Sequence, residues 1–479
     1  MTFYDFLEEM YMDRPKSILF AYYEGENRID VTVEQWIRDV FDFAAYLTAK
    51  NGEEKQNIGI SGKHSYMWYV VVFAAVISGN TAVSVNMGLS AEELLYELKK
   101  ADVSVLYTAS EEEEFENFLE DAGIYWKKGE KAMEESRGCA CGRIFFGDQA
   151  EDNTKTALIL FSSGTGGTPK GVMLSQKNIL FSSKIYKTTD IFKDDRMLLL
   201  LPLYHVGGIY FSITLMKCNV TFCICESPKY IVRDMKRYCP TVMAMVPAQL
   251  AFILERCGKD KKLKEIVSES LNYIVCVGAA LEDRYEDDAG SFGVQLLNLY
   301  GLTETAGSLT RWFPHKKGSI GLFSEINEMK IFDGELLIRG NSVTEGYYKD
   351  PDKTAELFED GWMHTGDLVR MDDEGFLYIV GRKKNIIIFA NGENISPEEL
   401  ENRIMRIPEV EEVIVTGRNQ ILEAIVFLGE KDSELNRNAV EQAIGNMNSS
   451  VPRFQQIRKV IFRDSPFPKT GSGKIRRNL

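Results

Sequence analysis

The run Leu158-Ile-Leu-Phe161 opens directly into Ser162-Ser-Gly-Thr-Gly-Gly-Thr-Pro-Lys-Gly171. A strand feeding so many hydroxyls and unobstructed backbone N–H groups can wrap phosphate oxygens, and Lys170 adds a point charge. The order differs from the G-x-x-x-x-G-K-[ST] of a P-loop NTPase, because Pro169 precedes the lysine and Gly171 follows it. A flexible linker is the plain alternative, but this segment runs straight into the apolar Val172-Met-Leu174.

Three further segments carry chemistry. Tyr300-Gly-Leu-Thr-Glu-Thr305 follows the apolar run 294–299. Tyr300 can stack on a base, Thr303 can bond a phosphate or carboxylate oxygen, and Glu304 can hold Mg²⁺ beside phosphates. In Trp362-Met-His-Thr-Gly-Asp367, a Thr-Gly turn frees Asp367 to accept two ribose hydroxyls. Pro468-Lys-Thr-Gly-Ser-Gly-Lys474 puts a lysine on a Gly/Ser-rich tail that can reach into a site and neutralise moving charge. Taken singly, each has an ordinary reading: a capping threonine, an aspartate that stabilises its own turn, a solvated basic tail.

These residues must be held by an α/β frame. Short Val- and Ile-rich runs at 156–161, 219–224, 242–246 and 273–277 alternate with helical patterns and polar turns, which suggests buried strands. The most apolar stretch, 66–77, is too short to span a bilayer and reads as a buried helix leading into a strand at 81–85. Segment 111–143 is charged and weakly patterned, and is expected to be a mobile surface excursion. A boundary is expected near Gly381, where 376–380 ends in Gly-Arg-Lys-Lys. The remaining hundred or so residues, enough for a small domain, alternate helices near 397 and 433–447 with strands near 413, 422–428 and 457–462.

The 56 Lys+Arg against 71 Asp+Glu give a net charge of −15, which argues against general nucleic-acid binding. The acidic start, Met1 to Met10, is unlike a signal peptide, and a cytoplasmic location is expected. The two C-x-C pairs, Cys139/Cys141 and Cys223/Cys225, lack usual zinc spacing and are read as reduced thiols; no metal is expected there.

In order and spacing, the four motifs resemble the signatures of the acyl-adenylate-forming superfamily: acyl-CoA synthetases, luciferases and peptide-synthetase adenylation domains. The resemblance runs from about Leu158 to Lys474. It includes Leu201-Pro-Leu-Tyr-His205, Val277-Gly-Ala-Ala-Leu281, Gly334-Glu-Leu-Leu-Ile-Arg-Gly340 and Gly381-Arg-Lys-Lys384 with Gly392-Glu-Asn-Ile-Ser-Pro-Glu-Glu399. One departure is Gly166-Gly167, where many members carry S-G-T-T-G. The first 150 residues match only in general pattern.

The resemblance implies an α/β fold: a large multi-sheet N-terminal domain over 1–381 and a small mobile α+β C-terminal domain over 382–479. It implies ATP, Mg²⁺ and CoA, with a small carboxylic acid as substrate and a carrier-protein thiol as the alternative acceptor. By the same resemblance Ser162, Ser163, Gly164, Thr165, Gly166, Gly167, Thr168 and Lys170 cradle phosphates, and Glu304 holds the metal beside Thr303. Gly278, Ala279 and Ala280 with Asn298, Leu299 and Tyr300 form an adenine slot, and Asp367 and Arg382 hold the ribose. The acyl group lies among Tyr204, His205, Val277, Gly278 and Gly301. Lys383 is the hinge, Gly392 lines a thiol tunnel, and His64, His315 and His364 receive no role. Two readings of other classes are an inactive ligand-binding relative, which the joint presence of Lys170, Glu304, Asp367 and Lys474 opposes, and an ATP phosphotransferase, which would release ADP.

The charge of Lys474 matters only while a carboxylate attacks and pyrophosphate leaves. Lys474→Ala is therefore expected to abolish acyl-AMP formation yet spare thioester formation from synthetic acyl-AMP, with each half-reaction assayed separately. Equal loss in both would remove the lysine from that step.

Overall fold

The computed structural model describes every residue except 53, 87, 110–112, 141–151, 163–167, 186–191, 193, 280, 282, 390–393, 419, 470–474, 476 and 478–479. The apolar runs form two seven-stranded sheets. The first has the order Gln295–Asn298, Tyr273–Cys276, Val242–Met245, Arg196–Leu199, Thr221–Ile224, Ile18–Glu24, Asn27–Thr32. Every neighbouring pair is parallel except the last, so the C-terminal ends of all but the final strand face one edge. In open α/β sheets that edge is where ligands bind.

The second sheet runs Gly346–Tyr347, Lys170–Ser175, Thr156–Ser162, Thr81–Ser84, Asn57–Ser61, Val103–Thr108, Trp126–Lys128. Thr156–Ser162 is parallel to Thr81–Ser84 on one side and turns back antiparallel into Lys170–Ser175 on the other. Helix Tyr66–Ile77 is apolar on every face and all its residues are buried, as such a helix must be in water. Its Tyr69 ring lies 4.6 Å from Phe20 of the first sheet, and its Phe73 lies 4.9 Å from Trp36 of helix Val33–Asn51. Such aromatic contacts contribute beyond their buried area.

A third, antiparallel sheet joins Asn327–Phe332, Glu335–Gly340, Trp362–Met371, Phe358–Glu359 and Leu377–Arg382. Beyond it, strands Glu412–Arg418, Ile421–Phe427 and Ile457–Arg463 pack with helices Pro397–Ile404 and Glu434–Asn448 around a separate core that includes Leu400, Val413, Ala424, Val440 and Ile457. The molecule is thus a large multi-sheet N-terminal domain and a smaller α+β C-terminal one. Among the described residues no helix is long and apolar enough to cross a membrane.

One expectation is corrected. Segment 111–143 is not an irregular excursion over its described part: helix Glu113–Asp121, strand Trp126–Lys128 and helix Gly129–Ser136 extend the second sheet. Leu119 and Ala132 are fully buried, and Asp42 accepts the N–H groups of Gly138 and Ala140 at 2.9 Å each. The charged residues cover the outer faces of elements too short to show a clear period.

Asn178 locks two layers together. Its Oδ1 accepts the Ser175 N–H at 2.9 Å, and its Nδ2 donates to the carbonyls of Asn341 at 2.9 Å and Val343 at 2.8 Å. Asn178→Ala leaves the buried Ser175 N–H and Val343 carbonyl unpaired at about 1–3 kcal/mol each. A clear fall in the urea midpoint of the large domain is expected; an unchanged midpoint would show that water repairs the gap.

Candidate functional site

The hairpin register pairs Ser162 with Lys170, so these residues stand at the two sides of the glycine-rich loop. Ser163, Gly164, Thr165, Gly166 and Gly167 lie outside the described residues; Thr168 is exposed. The Lys170 ammonium sits 4.6 Å from the centre of the Tyr347 ring. Tyr347 comes from the edge strand Gly346–Tyr347, opposite Val172. Its hydroxyl donates to Glu304 Oε1 at 2.9 Å. Burial first, and then the Glu304 carboxylate, push the Tyr347 phenol far above its usual range, which keeps it a proton donor. Thr303 and Glu304 lie in the 3₁₀ turn Thr303–Thr305, fastened where the Thr344 N–H donates to the Glu304 carbonyl at 2.7 Å. Lysine, phenol and carboxylate therefore form one chain at the Gly346–Tyr347 edge of the second sheet.

A few residues earlier on the same segment, the Tyr300 hydroxyl donates to Asp367 Oδ2 at 2.6 Å. Arg382 Nε lies 2.6 Å from Asp367 Oδ1, and the two residues are paired in register. Asp367 is 3% exposed. Burial and then Asp367 raise the Tyr300 phenol well above its ordinary value. The expected Thr-Gly turn before Asp367 is instead an irregularity inside strand Trp362–Met371: its pairing to Glu335–Gly340 jumps between Glu335↔Leu368 and Leu337↔His364. Gly366 at φ +71° lies in that bulge, which re-aims the following aspartate. Thr365 Oγ1 holds it in place by donating to the Leu336 carbonyl at 2.7 Å and accepting from the Asp367 N–H at 3.1 Å.

Val277, Gly278 and Ala279 follow the end of strand Tyr273–Cys276, beside Asn298 at the end of the next strand and Leu299 just after it, whose N–H donates to the Cys276 carbonyl at 3.0 Å. Gly278 is exposed with φ +87°. A Cβ at Gly301 would lie 2.0 Å from the Gly307 carbonyl oxygen, so this position takes only glycine. His205 stands at the N-cap of helix Val206–Met216, with the Tyr204 ring 4.7 Å from its own. A Cβ at Gly207, in the first turn of this helix, would reach Val277 Cγ2 at 3.8 Å, which brings the His205 and Val277 segments together. Ala280, Gly392 and Lys474 lie outside the described residues.

The flanks of the Lys474 segment are anchored. Lys469 pairs with Ile475 in a bridge and lies 2.5 Å from Glu412, while Arg477 bonds Glu401. The tail is tied to the small domain on both sides of 470–474. The histidines without an assigned role have structural partners. His64 Nε2 lies 2.8 Å from the Tyr69 hydroxyl and burial pushes it down to about 4; His315 faces Glu286 at 3.1 Å. Tyr347 is the site residue that sequence reasoning missed. Gly346-Tyr-Tyr348 has no distinctive spacing, and only strand pairing brings it to Glu304.

Residues 9–348 match the model of the AMP-binding enzyme family, and residues 384–479 match that of the AMP-binding enzyme C-terminal domain. The chain belongs to the AMP-binding enzyme family. The match reaches back through the first 150 residues, where motifs alone showed only a general pattern. A 2-succinylbenzoate–CoA ligase of Bacillus cytotoxicus is 30% identical over 90% of this chain and 89% of its own. An indoleacetate–CoA ligase of Aromatoleum aromaticum is 28% identical over 94% and 92%. Among solved structures, an anthranilate CoA ligase in complex with anthranoyl-AMP superposes with a TM-score of 0.84 at 20% identity, covering 100% of this chain and 96% of that one. The o-succinylbenzoate coenzyme A synthetase of Bacillus subtilis with ATP and magnesium gives 0.81 at 24%, covering 99% and 98%.

In an AMP-binding enzyme the Tyr300–Asp367–Arg382 cluster has a direct test. Tyr300→Phe removes a hydrogen bond to a buried carboxylate, a contact of about 1.5–3 kcal/mol. AMP affinity by calorimetry is expected to fall roughly tenfold or more, and unchanged affinity would separate this cluster from the nucleotide.

Proposed function

We propose that this chain is an ATP-dependent acid–thiol ligase that joins an aryl or fatty carboxylic acid to CoA through an acyl-AMP intermediate. The observation that carries the reading is the segment from Tyr300 to Thr305, which presents Tyr300 to the Asp367–Arg382 pair and Glu304 to the Tyr347–Lys170 pair. One strand end thus addresses a polyol-binding carboxylate and a cation–carboxylate group together. A nucleoside triphosphate carries the matching ribose and phosphates.

In the first half-reaction a carboxylate oxygen of the acid attacks the α-phosphorus of ATP, and the bond to the β-phosphate oxygen breaks. Two anions must approach, so the barrier falls where fixed cations screen them. Lys170 and Lys474 serve this role, with Ser162 and the loop to Thr168 bonding the phosphates. Glu304 is a hard oxygen donor suited to Mg²⁺ and would hold it with one oxygen engaged by Tyr347; when bound, the ion neutralises phosphate charge. Asp367 accepts the ribose hydroxyls, with Arg382 paired to its Oδ1. Gly278 and Ala279 leave open backbone for the adenine, with Asn298 and Leu299 beside them. His205, Tyr204, Val277 and Gly301 border the acyl group, and Thr303 bonds its oxygen or the phosphate.

In the second half-reaction the thiol attacks the acyl carbon and AMP leaves with one oxygen of the original carboxylate. We place the domain boundary after Gly381 and the hinge at Lys383: strand Leu377–Arg382 belongs to the third sheet, whereas the small domain's core draws on residues from Ile387 onward. Rotation there would withdraw Lys474 and present Gly392 to the thiol. CoA is preferred to a carrier protein because the relatives described above are CoA ligases. A cytoplasmic location is part of this proposal.

The test is pyrophosphate release over a panel of aryl and fatty acids, with CoA or holo-carrier protein added. Wild type is expected to release pyrophosphate and AMP, and Glu304→Ala to slow this on the order of 10²-fold or more. ADP and orthophosphate as the only products would reject the reading.

A further inference from the structure

The Gly334–Gly340 motif has no part in the chemistry above, yet its Glu335 is among the most constrained carboxylates in the molecule. It is 3% exposed at the start of strand Glu335–Gly340. Its Oε1 accepts the Gly366 N–H at 3.0 Å, within the bulge that aims Asp367. Its Oε2 takes the Lys383 ammonium at 2.7 Å, and His364 Nδ1 lies 3.1 Å from the same oxygen. His364 Nε2 lies 3.3 Å from Glu359, which keeps the ring turned with Nδ1 toward Glu335. One buried carboxylate thus gathers the nucleotide-side bulge, a histidine and the first residue of the turn Lys383–Asn385.

We propose that Glu335 is a positioning residue that ties the Asp367 bulge to the hinge, and that Lys383 must leave it when the domains rotate. The inference rests on the two-step reading above. Burial alone would raise the Glu335 carboxyl; Lys383, then His364 and the Gly366 N–H, outweigh burial and hold it below its usual value. The partners differ in how easily they depart. The Lys383 side chain is 61% exposed against 4% for that of Glu335, so the ammonium can move into water without first being desolvated. His364 and the Gly366 N–H belong to the large domain's strand and stay behind, so the buried carboxylate is never left bare. A releasable tie needs such an arrangement: a fixed acceptor, a solvated partner that leaves, and a second donor that remains.

The experiment compares wild type, Glu335→Gln, Lys383→Met and the double variant as full-length chains. Glu335→Gln retains an oxygen for the Gly366 N–H and removes the charge that holds Lys383. The first readout is limited trypsin digestion, scored as cleavage after Arg382 and Lys384 relative to cuts elsewhere, which needs no substrate. Glu335→Gln is expected to speed hinge cleavage at least about threefold, the rate equivalent of a small coupling between contacting residues. The second is the ratio of acyl-AMP formation to thioester formation from synthetic acyl-AMP. Each single variant is expected to shift this ratio by a similar factor, and the double variant no further than either. Unchanged hinge cleavage, or effects that multiply in the double variant, overturns the tie. Wild type without pyrophosphate release on any acid would instead reject the proposed reaction, and the digestion would still decide the tie.

Discussion

The buried carboxylate of Asp367 is the point on which the site depends. Tyr300 reaches it from the end of the first sheet, Arg382 from the last strand before the small domain, and Asp367 itself belongs to the third sheet. A carboxylate at 3% exposure is stable only if hydrogen bonds and ion pairs replace its water. Those bonds therefore fix the mutual position of three parts of the chain. Whatever ligand Asp367 receives is positioned relative to both sheets and to the root of the small domain.

The same logic applies on the side proposed for the phosphates. A chain of net charge −15 can hold an anion only where local cations and N–H donors concentrate. Here Lys170 stands at the end of a hairpin, over Tyr347, with Glu304 beyond. The aromatic ring separates lysine from carboxylate, so the ammonium is not consumed in a direct ion pair with Glu304. The phenol satisfies one carboxylate oxygen, and the hairpin register sets the height of the lysine relative to Ser162.

Much of this was legible in the sequence, for physical reasons that differ by element. Helix Tyr66–Ile77 and the strand after it were visible because an all-apolar run of that length has one soluble solution, a buried helix. The parallel strands were visible because both of their faces are buried and their sequences are continuously apolar. Lys170, Glu304 and Asp367 stood out because each sits in a turn-rich segment with few structural reasons for its composition. Segment 111–143 was misjudged because its helices are short and its charges mask the few buried positions, such as Leu119 and Ala132. Tyr347 was missed as a site residue, and the contact of Glu335 with Lys383 was not foreseen, because the partners are far away in sequence: Glu304 for one, Lys383 for the other. No local pattern encodes a contact made by strand pairing. The bulge at Gly366 was read as a turn for the same reason, since only the partner strand reveals the extra residues.

In the proposed reaction the acid's own oxygen attacks the α-phosphorus and departs with AMP. Turnover of an ¹⁸O-carboxylate-labelled acid with ATP and CoA, followed by mass spectrometry of the phosphate products, tests this most directly. The proposed reaction puts ¹⁸O in AMP and none in pyrophosphate. Label in orthophosphate, with ADP as the nucleotide product, would contradict it.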